Sequence, residues 1–369
     1  MRNIPLLFVT IDSLGPEVLE KAKTPFLDSI AESGTVVENM KSCFPTLTTP
    51  MMSTILTGVF PEKHGIYSNM VFNKKERKVE GVLRDLKSPP ITDCLYKNDY
   101  NILSVQHFML QGRKGVNHAQ VNGRKCESIR RVIMKEMEEN EYDAIFCLYQ
   151  SLDSIGHQYG PLHHKTIREL EKIDKELQII SDYLKEKLSN FVISITSDHS
   201  MSLARNPTDF RMSAINKLID LEAEMGKVEQ YVSDDTDILM LRFPTVPIYA
   251  VSEKAKGKIE LLADTLKKFK VIDSVYTKED MKSMHNPEYA DLSFCFKKGY
   301  STALKSRKPG SFFGYHGTYH EEPSVFMFKG IDNTEKLVNN GTLVDIAPTT
   351  LDLLNIEASE HYDGKSLKK

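Results

Sequence analysis

Short apolar runs alternate with longer stretches of helical periodicity through the first 205 residues. Apolar runs occupy residues 4–12, 144–149 and 191–196, and each of them ends at or just before polar side chains. Between the last two, Thr166–Lys187 repeats its leucines and isoleucines at the spacing of an amphipathic helix. This alternation predicts an α/β fold in which helices flank a mostly parallel central sheet.

Other helices are predicted from composition and spacing alone. They cover residues 16–33, 49–57, 128–139 and 345–354. A further buried strand is predicted at Ser324–Phe328, late in the chain, where the style of the first half returns.

The pattern changes between these two regions, after about Arg205. Here short strands are predicted at 236–251, 271–277 and 291–296, and a charged helix at 253–268. The mixture resembles an α+β unit more than the alternating pattern on either side. We therefore predict a core made of residues 1–205 and 310–369, with residues 206–309 inserted as a smaller α+β cap.

Composition narrows the class of protein without identifying a function. The chain has 369 residues, of which 40% are apolar and 27% charged, and its formal net charge is −3. These values are ordinary for a globular protein, and no basic surplus indicates a nucleic-acid partner. The five cysteines are scattered, and the apolar run near the N-terminus is too short for a signal peptide or a membrane span. We expect a reduced, cytoplasmic protein without membrane contact, whose oligomeric state the sequence does not indicate.

Polar residues stand where the three predicted buried strands end. Asp12 closes the first strand, Asp153 and His157 follow the second, and Asp198 and His199 follow the third. Sites in open α/β sheets lie outside the carboxyl ends of the strands, so these side chains are expected to converge. A single aspartate after a strand is also common as a helix N-cap, so the prediction depends on the whole set.

The set has the chemistry of a metal site, and His316 in a glycine-flanked loop is a candidate to join it. Carboxylate oxygens and imidazole nitrogens suit zinc, manganese or iron. Three carboxylates close together without cations would raise one another's pKa, and divalent ions offset that repulsion. Two ions about 4 Å apart can hold both the attacking and the leaving oxygen of a displacement.

A threonine-rich segment supplies a candidate nucleophile. The run Pro45-Thr-Leu-Thr48-Thr-Pro50 precedes a predicted helix, and proline suits the first turn of a helix. Thr48 would lie at the mouth of that helix, where free N–H groups and the helix dipole attract an anion. A metal-bound threonine hydroxyl is a competent nucleophile. On local evidence alone, an N-cap role for Thr48 or Thr49 is the better explanation of the pattern.

These motifs together resemble the nucleotide pyrophosphatase/phosphodiesterase branch of the alkaline phosphatase superfamily, in the family's order and across nearly the whole chain. The matching stretches are Thr10-Ile-Asp12, Pro45-Thr-Leu-Thr48-Thr-Pro50, Leu56-Thr-Gly-Val-Phe-Pro-Glu-Lys-His-Gly65, Asp153-Ser-Ile-Gly-His157-Gln-Tyr-Gly160, Thr196-Ser-Asp-His199, His316-Gly317, and Asp345-Ile-Ala-Pro-Thr349 with Asp363-Gly364.

The resemblance implies an alkaline phosphatase-like fold and two zinc sites, with manganese as the alternative metal. One site would use Asp153, His157 and His316; the other would use Asp12, Asp198, His199 and the nucleophile Thr48. Asn69 would donate to a phosphoryl oxygen, assisted by backbone N–H groups near Thr49. The implied reaction is hydrolysis of a phosphodiester or pyrophosphate bond in a small substrate, such as a nucleotide, through a phosphothreonine intermediate.

Departures from the family pattern leave the substrate open. Thr49 stands where the family often has an aromatic residue, Met51 where it has Asn, and Ser200 where it has Gly. A sulfatase is excluded, because Thr48 and Met52 replace the required Cys or Ser and the Arg. The alternatives are a C–P bond hydrolase similar to phosphonoacetate hydrolases, a phosphomonoesterase, and a metal-containing binding protein. The presence of every ligand and of the nucleophile argues against the last.

Overall fold

The computed structural model describes most of the chain, and the statements below concern that part. It covers residues 3–81, 85–121, 123, 125–188, 190–205, 218–301, 312–332, 336–358 and 360–368.

Seventeen strands and twelve α-helices are present in these residues. The strands are β1 Leu6–Ile11, β2 Thr35–Lys41, β3 Val71–Asn73, β4 Lys78–Glu80, β5 Ile102–Val105, β6 Val116–Ala119, β7 Ala144–Tyr149, β8 Val192–Thr196, β9 Ser202–Ala204, β10 Ala223–Gly226, β11 Ile238–Leu241, β12 Thr245–Ala250, β13 Ile272–Thr277, β14 Leu292–Phe296, β15 Phe313–Tyr315, β16 Phe326–Lys329 and β17 Leu337–Thr342. The helices are α1 Pro16–Lys21, α2 Pro25–Ser33, α3 Thr48–Thr57, α4 Pro61–His64, α5 Ile91–Lys97, α6 Cys126–Glu139, α7 Ser151–Tyr159, α8 His164–Lys187, α9 Glu253–Lys256, α10 Ile259–Leu266, α11 Lys278–Ser283 and α12 Ile346–Leu353.

An eight-stranded sheet forms the centre of the core, in the order β17-β2-β16-β8-β1-β7-β5-β6. Only the two pairings made by β16 are antiparallel, so the predicted α/β class with a mostly parallel sheet is confirmed. Strands β8, β1 and β7 are neighbours at the middle of the sheet. Their carboxyl ends therefore open side by side, as the sequence predicted for the three polar strand ends.

Both faces of this sheet are covered, which explains why its strands read as continuous apolar runs. In β1, Leu6 and Phe8 pack toward α3, α5 and α12 on one face. The intervening residues Leu7, Val9 and Ile11 pack toward α1, α2, α6 and α8 on the other. The alternation of side chains along an extended strand sends successive apolar residues to opposite layers.

A second, five-stranded sheet forms the inserted unit, in the order β10-β11-β12-β14-β13. One face packs against α10. The other face, through residues such as Leu241 and Cys295, packs against Phe44 and Leu47 of the core. The predicted boundaries at 206 and 309–310 fall in 206–217 and 302–311, outside the described residues.

Two predicted helices are each divided in the structure. The helix expected over 16–33 breaks before Pro25, which starts α2 with Thr24 as its N-cap residue. Proline lacks the N–H that would continue the preceding helix and fits the first turn of a new one. The helix expected over 253–268 breaks at Gly257, the residue type after proline least suited to a helix interior. Strands β2 and β17, on one flank of the sheet, were not predicted.

Candidate active site

The three strand ends converge as the sequence predicted. Asp12 directly follows β1, and its backbone N–H donates to the carbonyl of Tyr149 at 2.9 Å, so it extends the ladder of β1 and β7. Asp153 lies in the first turn of α7, directly beyond β7. Asp198 follows β8 by two residues. Three carboxylates therefore lie just beyond the carboxyl ends of three adjacent strands, at one edge of the sheet.

One group of potential metal ligands, here called the buried cluster, consists of Asp12, Asp198 and His199. Its residues are at most 1% exposed. His199 Nε2 lies 3.0 Å from Asp198 Oδ2 and 3.9 Å from Asp12 Oδ1. None of these three atoms has a hydrogen-bond partner among the described residues. Buried polar atoms are rarely left unpaired, so three that face one another fit the ligands of a cation.

A second group, here called the open cluster, consists of Asp153, His157 and His316. Asp153 Oδ1 lies 3.3 Å from His157 Nε2 and 3.5 Å from His316 Nε2. These separations match a tetrahedral zinc ion. When each ligand atom lies about 2.0–2.1 Å from the zinc, neighbouring ligand atoms are about 3.3–3.4 Å apart. The side chain of His157 is 35% exposed, so this cluster is reached from solvent.

Each imidazole is oriented by a backbone carbonyl on its far side. The Nδ1 atoms of His157 and His316 lie 2.8 Å from the carbonyl oxygens of Gly314 and Thr46. His199 Nδ1 lies 3.0 Å from the oxygen of the residue that follows it. A carbonyl only accepts, so the ring proton lies on Nδ1 and the lone pair of Nε2 points into the clusters.

Electrostatics favour cations at both clusters. Burial, followed by the charges of Asp198 and Asp153, raises the pKa of Asp12 well above its usual value. Burial lowers the pKa of His199, but the neighbouring carboxylates, Asp198 first, outweigh this and leave it raised. Burial and the other two histidines lower the pKa of His316. The donor atoms, their spacing and the uncompensated carboxylates fit two divalent ions.

Thr48 is the first residue of α3, one position before the predicted start at residue 49, and it is partly exposed. The N-cap residue is Leu47, and no side chain caps the helix, so an N-cap role for Thr48 or Thr49 is not what the structure has. The Thr49 N–H donates to Asn69 Oδ1 at 3.0 Å. This leaves the Asn69 amide nitrogen as a donor at the mouth of α3.

The loop before the helix also links the nucleophile candidate to the open cluster. Besides holding His316 through its carbonyl, Thr46 accepts a hydrogen bond from the Gly317 N–H at 2.8 Å through its hydroxyl. Only Leu47 therefore separates Thr48 from the residue that orients His316. This role of Thr46 has no signal in the local sequence, because the partner lies 270 residues away.

Two other residues near the site were missed. Ser13, directly after Asp12, contacts members of both clusters. Asn286 of the inserted unit is fully buried and donates to the carbonyls of Phe44 and Tyr67, at 3.2 and 3.1 Å. It thereby ties together the loops that lead to Thr48 and to Asn69. Neither residue carries a local sequence signal, since both act on partners distant in the chain.

Of the three residues that depart from the family pattern, Thr49 and Met51 are buried and Ser200 is partly exposed. Thr49 and Met51 are 3% and 0% exposed, and they form part of α3 without an exposed side chain. Ser200 contributes the carbonyl that orients His199. None of the three is a member of either cluster.

The fold and this site define a class: a protein of α/β fold with two clusters of potential metal ligands beside a helix N-terminus. Over residues 6–319 the sequence matches the type I phosphodiesterase / nucleotide pyrophosphatase family, and the chain belongs to it. It is therefore a hydrolase of phosphoric esters and a member of a metal-dependent family.

Relatives and solved structures agree with this placement. Ectonucleotide pyrophosphatase/phosphodiesterase family member 7 of Mus musculus is 26% identical over 324 residues, which cover 81% of this chain and 71% of that protein. A bis(5'-adenosyl)-triphosphatase, enpp4 of Mus musculus, is 25% identical over 349 residues, 88% of this chain and 70% of its own. Murine ectonucleotide pyrophosphatase/phosphodiesterase 5, solved as an inactive variant with AMP, shares the fold with a TM-score of 0.75 at 20% identity, covering 97% and 96% of the two chains.

The sequence predicts no membrane-spanning segment, and the structure allows the helices to be examined for one. Within the part of the chain that the structure describes, none of the helices combines the length and the apolar character needed to cross a bilayer.

Proposed function

We propose that this protein hydrolyses the phosphodiester or pyrophosphate bond of a small, nucleotide-like substrate, with Thr48 as nucleophile and two zinc ions as cofactors. The observation that carries the proposal is the pair of clusters beside the N-terminus of α3, with Asp12 Oδ1, Asp198 Oδ2 and His199 Nε2 buried and unpaired. The relatives support a nucleotide substrate, since one is named for cleaving bis(5'-adenosyl)-triphosphate and a neighbour was solved with AMP.

In this mechanism the buried cluster and Thr48 would hold one ion, and the open cluster would hold the other. Bound ions would neutralise the phosphoryl oxygens, favour the alkoxide of Thr48 and assist departure of the leaving oxygen. Thr48 Oγ1 attacks phosphorus, and the bond from phosphorus to the leaving group breaks on the opposite side. Water then cleaves the phosphothreonine, which returns the hydroxyl and releases a phosphate product.

The surrounding residues orient and neutralise the phosphoryl group. The amide nitrogen of Asn69 donates to a phosphoryl oxygen, because its carbonyl oxygen is already occupied by the Thr49 N–H. The free N–H groups in the first turn of α3 and the helix dipole favour the same negative charge. The open cluster is the solvent-accessible side of the centre, so the leaving group departs and water enters there.

The deciding experiment compares hydrolysis of bis-p-nitrophenyl phosphate and p-nitrophenyl phosphate by zinc-loaded protein, with a chelator-treated sample as the control. A metal-dependent preference for the diester supports the proposal. A preference for the monoester, or no hydrolysis of either compound, contradicts it, and phosphonoacetate would then test the C–P hydrolase alternative. The same comparison with manganese-loaded protein tests the choice of metal.

A further inference from the structure

Ser13 makes direct contacts with both clusters, although its side chain has no place among the ligands. Its backbone N–H donates to Asp198 Oδ1 at 3.1 Å, and its hydroxyl donates to Asp153 Oδ1 at 2.9 Å. It is 4% exposed. One residue therefore holds a carboxylate of the buried cluster through its main chain and a carboxylate of the open cluster through its side chain.

The direction of the hydroxyl proton follows from the neighbouring groups. Ser13 Oγ also lies 3.3 Å from His199 Nδ1, but that nitrogen has a shorter contact, 3.0 Å, with a carbonyl oxygen. The Nδ1 proton is directed to the carbonyl, so the hydroxyl proton remains for Asp153. The acceptor is Oδ1, the oxygen that also faces Nε2 of both histidines in the open cluster. The serine hydroxyl thus acts on the oxygen that would bind the metal.

The backbone of Ser13 is in an unusual conformation for this contact. Its φ of 66° lies in the left-handed region, which residues other than glycine seldom occupy. Ser13 also lines a cavity of about 690 Å³, together with Gly15 and Ser200. Ser13 lies in a turn closed by a hydrogen bond from the Leu14 N–H to the Ile11 carbonyl at 3.2 Å. In this turn its N–H and its hydroxyl reach the two aspartates.

We infer that Ser13 is a positioning residue that fixes the metal-binding oxygen of Asp153 and links the open cluster to the buried one. The role concerns metal affinity, so it holds whatever reaction the centre performs. Removing a partner that orients a metal ligand typically weakens metal binding by about 10- to 100-fold.

The variant that tests this is Ser13→Gly, because glycine accepts the positive φ and keeps the N–H that binds Asp198. It is combined with two variants that each leave one cluster intact: Asp198→Asn leaves the open cluster, and His157→Ala leaves the buried one. Zinc affinity is measured by competition with a chelator of known affinity, with bound zinc counted by mass spectrometry. Thermal unfolding checks that each protein is folded.

The expected result is selective. In the Asp198→Asn background, Ser13→Gly weakens the remaining zinc by about 10- to 100-fold. In the His157→Ala background, Ser13→Gly leaves the affinity within about threefold, because the contact to Asp198 comes from the backbone N–H that glycine keeps. Ser13→Ala, which keeps the bulk and loses the hydroxyl, shows the same selective loss. The control is Ser194→Ala, which removes a buried hydroxyl bonded to Thr350 and leaves both affinities unchanged.

Two results would overturn the inference. One is unchanged zinc affinity of the open cluster in both Ser13→Gly and Ser13→Ala. The other is an equal loss at both clusters, which would mean that the substitution disturbs the whole site and not the bond to Asp153. Neither result bears on phosphodiester hydrolysis, so the proposed function stands or falls separately.

Discussion

The buried and open clusters use the same kinds of side chain in different surroundings. In the buried cluster, Asp12, Asp198 and His199 are almost completely hidden from solvent, and an atom of each lacks a hydrogen-bond partner among the described residues. In the open cluster, His157 is about one-third exposed, and Asp153 receives a hydrogen bond from a serine. A charge in the buried cluster carries a large desolvation free energy, whereas solvent reaches the open cluster.

Because of this difference, we expect the stability of the folded protein to depend more on a metal ion in the buried cluster than on one in the open cluster. Without a cation, the buried carboxylates repel each other with little screening, so the folded state itself should depend on the metal there. The open cluster loses less stability when empty, because water screens its charges. The four predictions that follow test this contrast, from the largest expected effect to the smallest.

Removing the nucleophile should separate chemistry from metal binding. Thr48→Ala is expected to lower kcat by at least about 1,000-fold, equivalent to about 4 kcal/mol, because it removes the proposed nucleophilic oxygen. Zinc content should stay largely intact, since the aspartates and histidines of both clusters remain. Steady-state rates and metal counting are the measurements. Thr49→Ser is the control, and a Thr48→Ala protein with near-native rates would refute the assignment.

Removing one buried charge should have opposite effects with and without metal. In chelator at pH 8, Asp12→Asn is expected to be more stable than the unmodified protein by about 3 kcal/mol, because an uncompensated buried charge is gone. With zinc the order reverses, since a ligand is lost. Urea unfolding measures both.

The stability gain of Asp12→Asn in chelator depends on pH, and the sign of this dependence follows from the raised pKa of Asp12. The stability from the protonated form is complete below the unfolded pKa of 3.8 and is lost as pH rises through the raised folded pKa. The advantage of Asp12→Asn therefore grows with pH. Asp153→Asn is the matched variant in the open cluster and should gain less. An equal gain would break the contrast between the clusters.

A buried glutamate close to the buried cluster gives a second pH-dependent effect. Burial raises the pKa of Glu321 to about 7, from 4.5, although its side chain accepts hydrogen bonds from the N–H and hydroxyl of Thr318. The unmodified protein should therefore lose stability relative to Glu321→Gln as pH rises from 5 to 8, by about 3 kcal/mol at most. Unfolding in chelator at both pH values measures this. The exposed Glu38→Gln is the control, and a constant difference between the two pH values would contradict the prediction.

The smallest effect is expected from removing the hydrogen bonds of Asn286, which connect the inserted unit to the core. Asn286→Ala removes two hydrogen bonds and leaves the carbonyls of Phe44 and Tyr67 unpaired. We expect a loss of about 2 kcal/mol in unfolding free energy and a several-fold lower kcat, with zinc affinity unchanged. The exposed Asn98→Ala, which loses a bond on a surface helix, is the control. A fall in zinc affinity would mean that the inserted unit also shapes the clusters.

The core of the fold was predictable, because buried parallel strands have a strong pattern. Strands β1, β7 and β8 are continuous apolar runs that end in polar residues, and the rule for parallel sheets then brings Asp12, Asp153 and Asp198 together. Helix α3 begins at Thr48, one residue before the predicted start, because Pro50 occupies the third helical position and not the first or second. The break before Pro25 was visible in the sequence and was overlooked in favour of apolar spacing.

The elements and residues that were not predicted from the sequence depend on partners far away in the chain. Strand β2 mixes buried and exposed residues and pairs with β16 and β17, which lie near the other end of the chain. No local period distinguishes such a strand from a loop. Ser13 is a similar case, since its importance comes from a backbone angle and from aspartates 140 and 185 residues away. The His316 ligand was placed in its cluster by family resemblance, and its spacing from Asp153 carries no such information.

The place of the inserted unit in the chain sets an order for assembly during translation. When the ribosome has produced residue 205, the side chains of the buried cluster are all present, whereas the open cluster still lacks His316. Strand β8 then has an unpaired edge, and β2 has no neighbour, because β16 must later enter between them. The nascent core therefore waits for more than 100 residues before its sheet closes. The sheet of the core therefore cannot be completed before translation has passed β16, whatever the speed at which the earlier helices form.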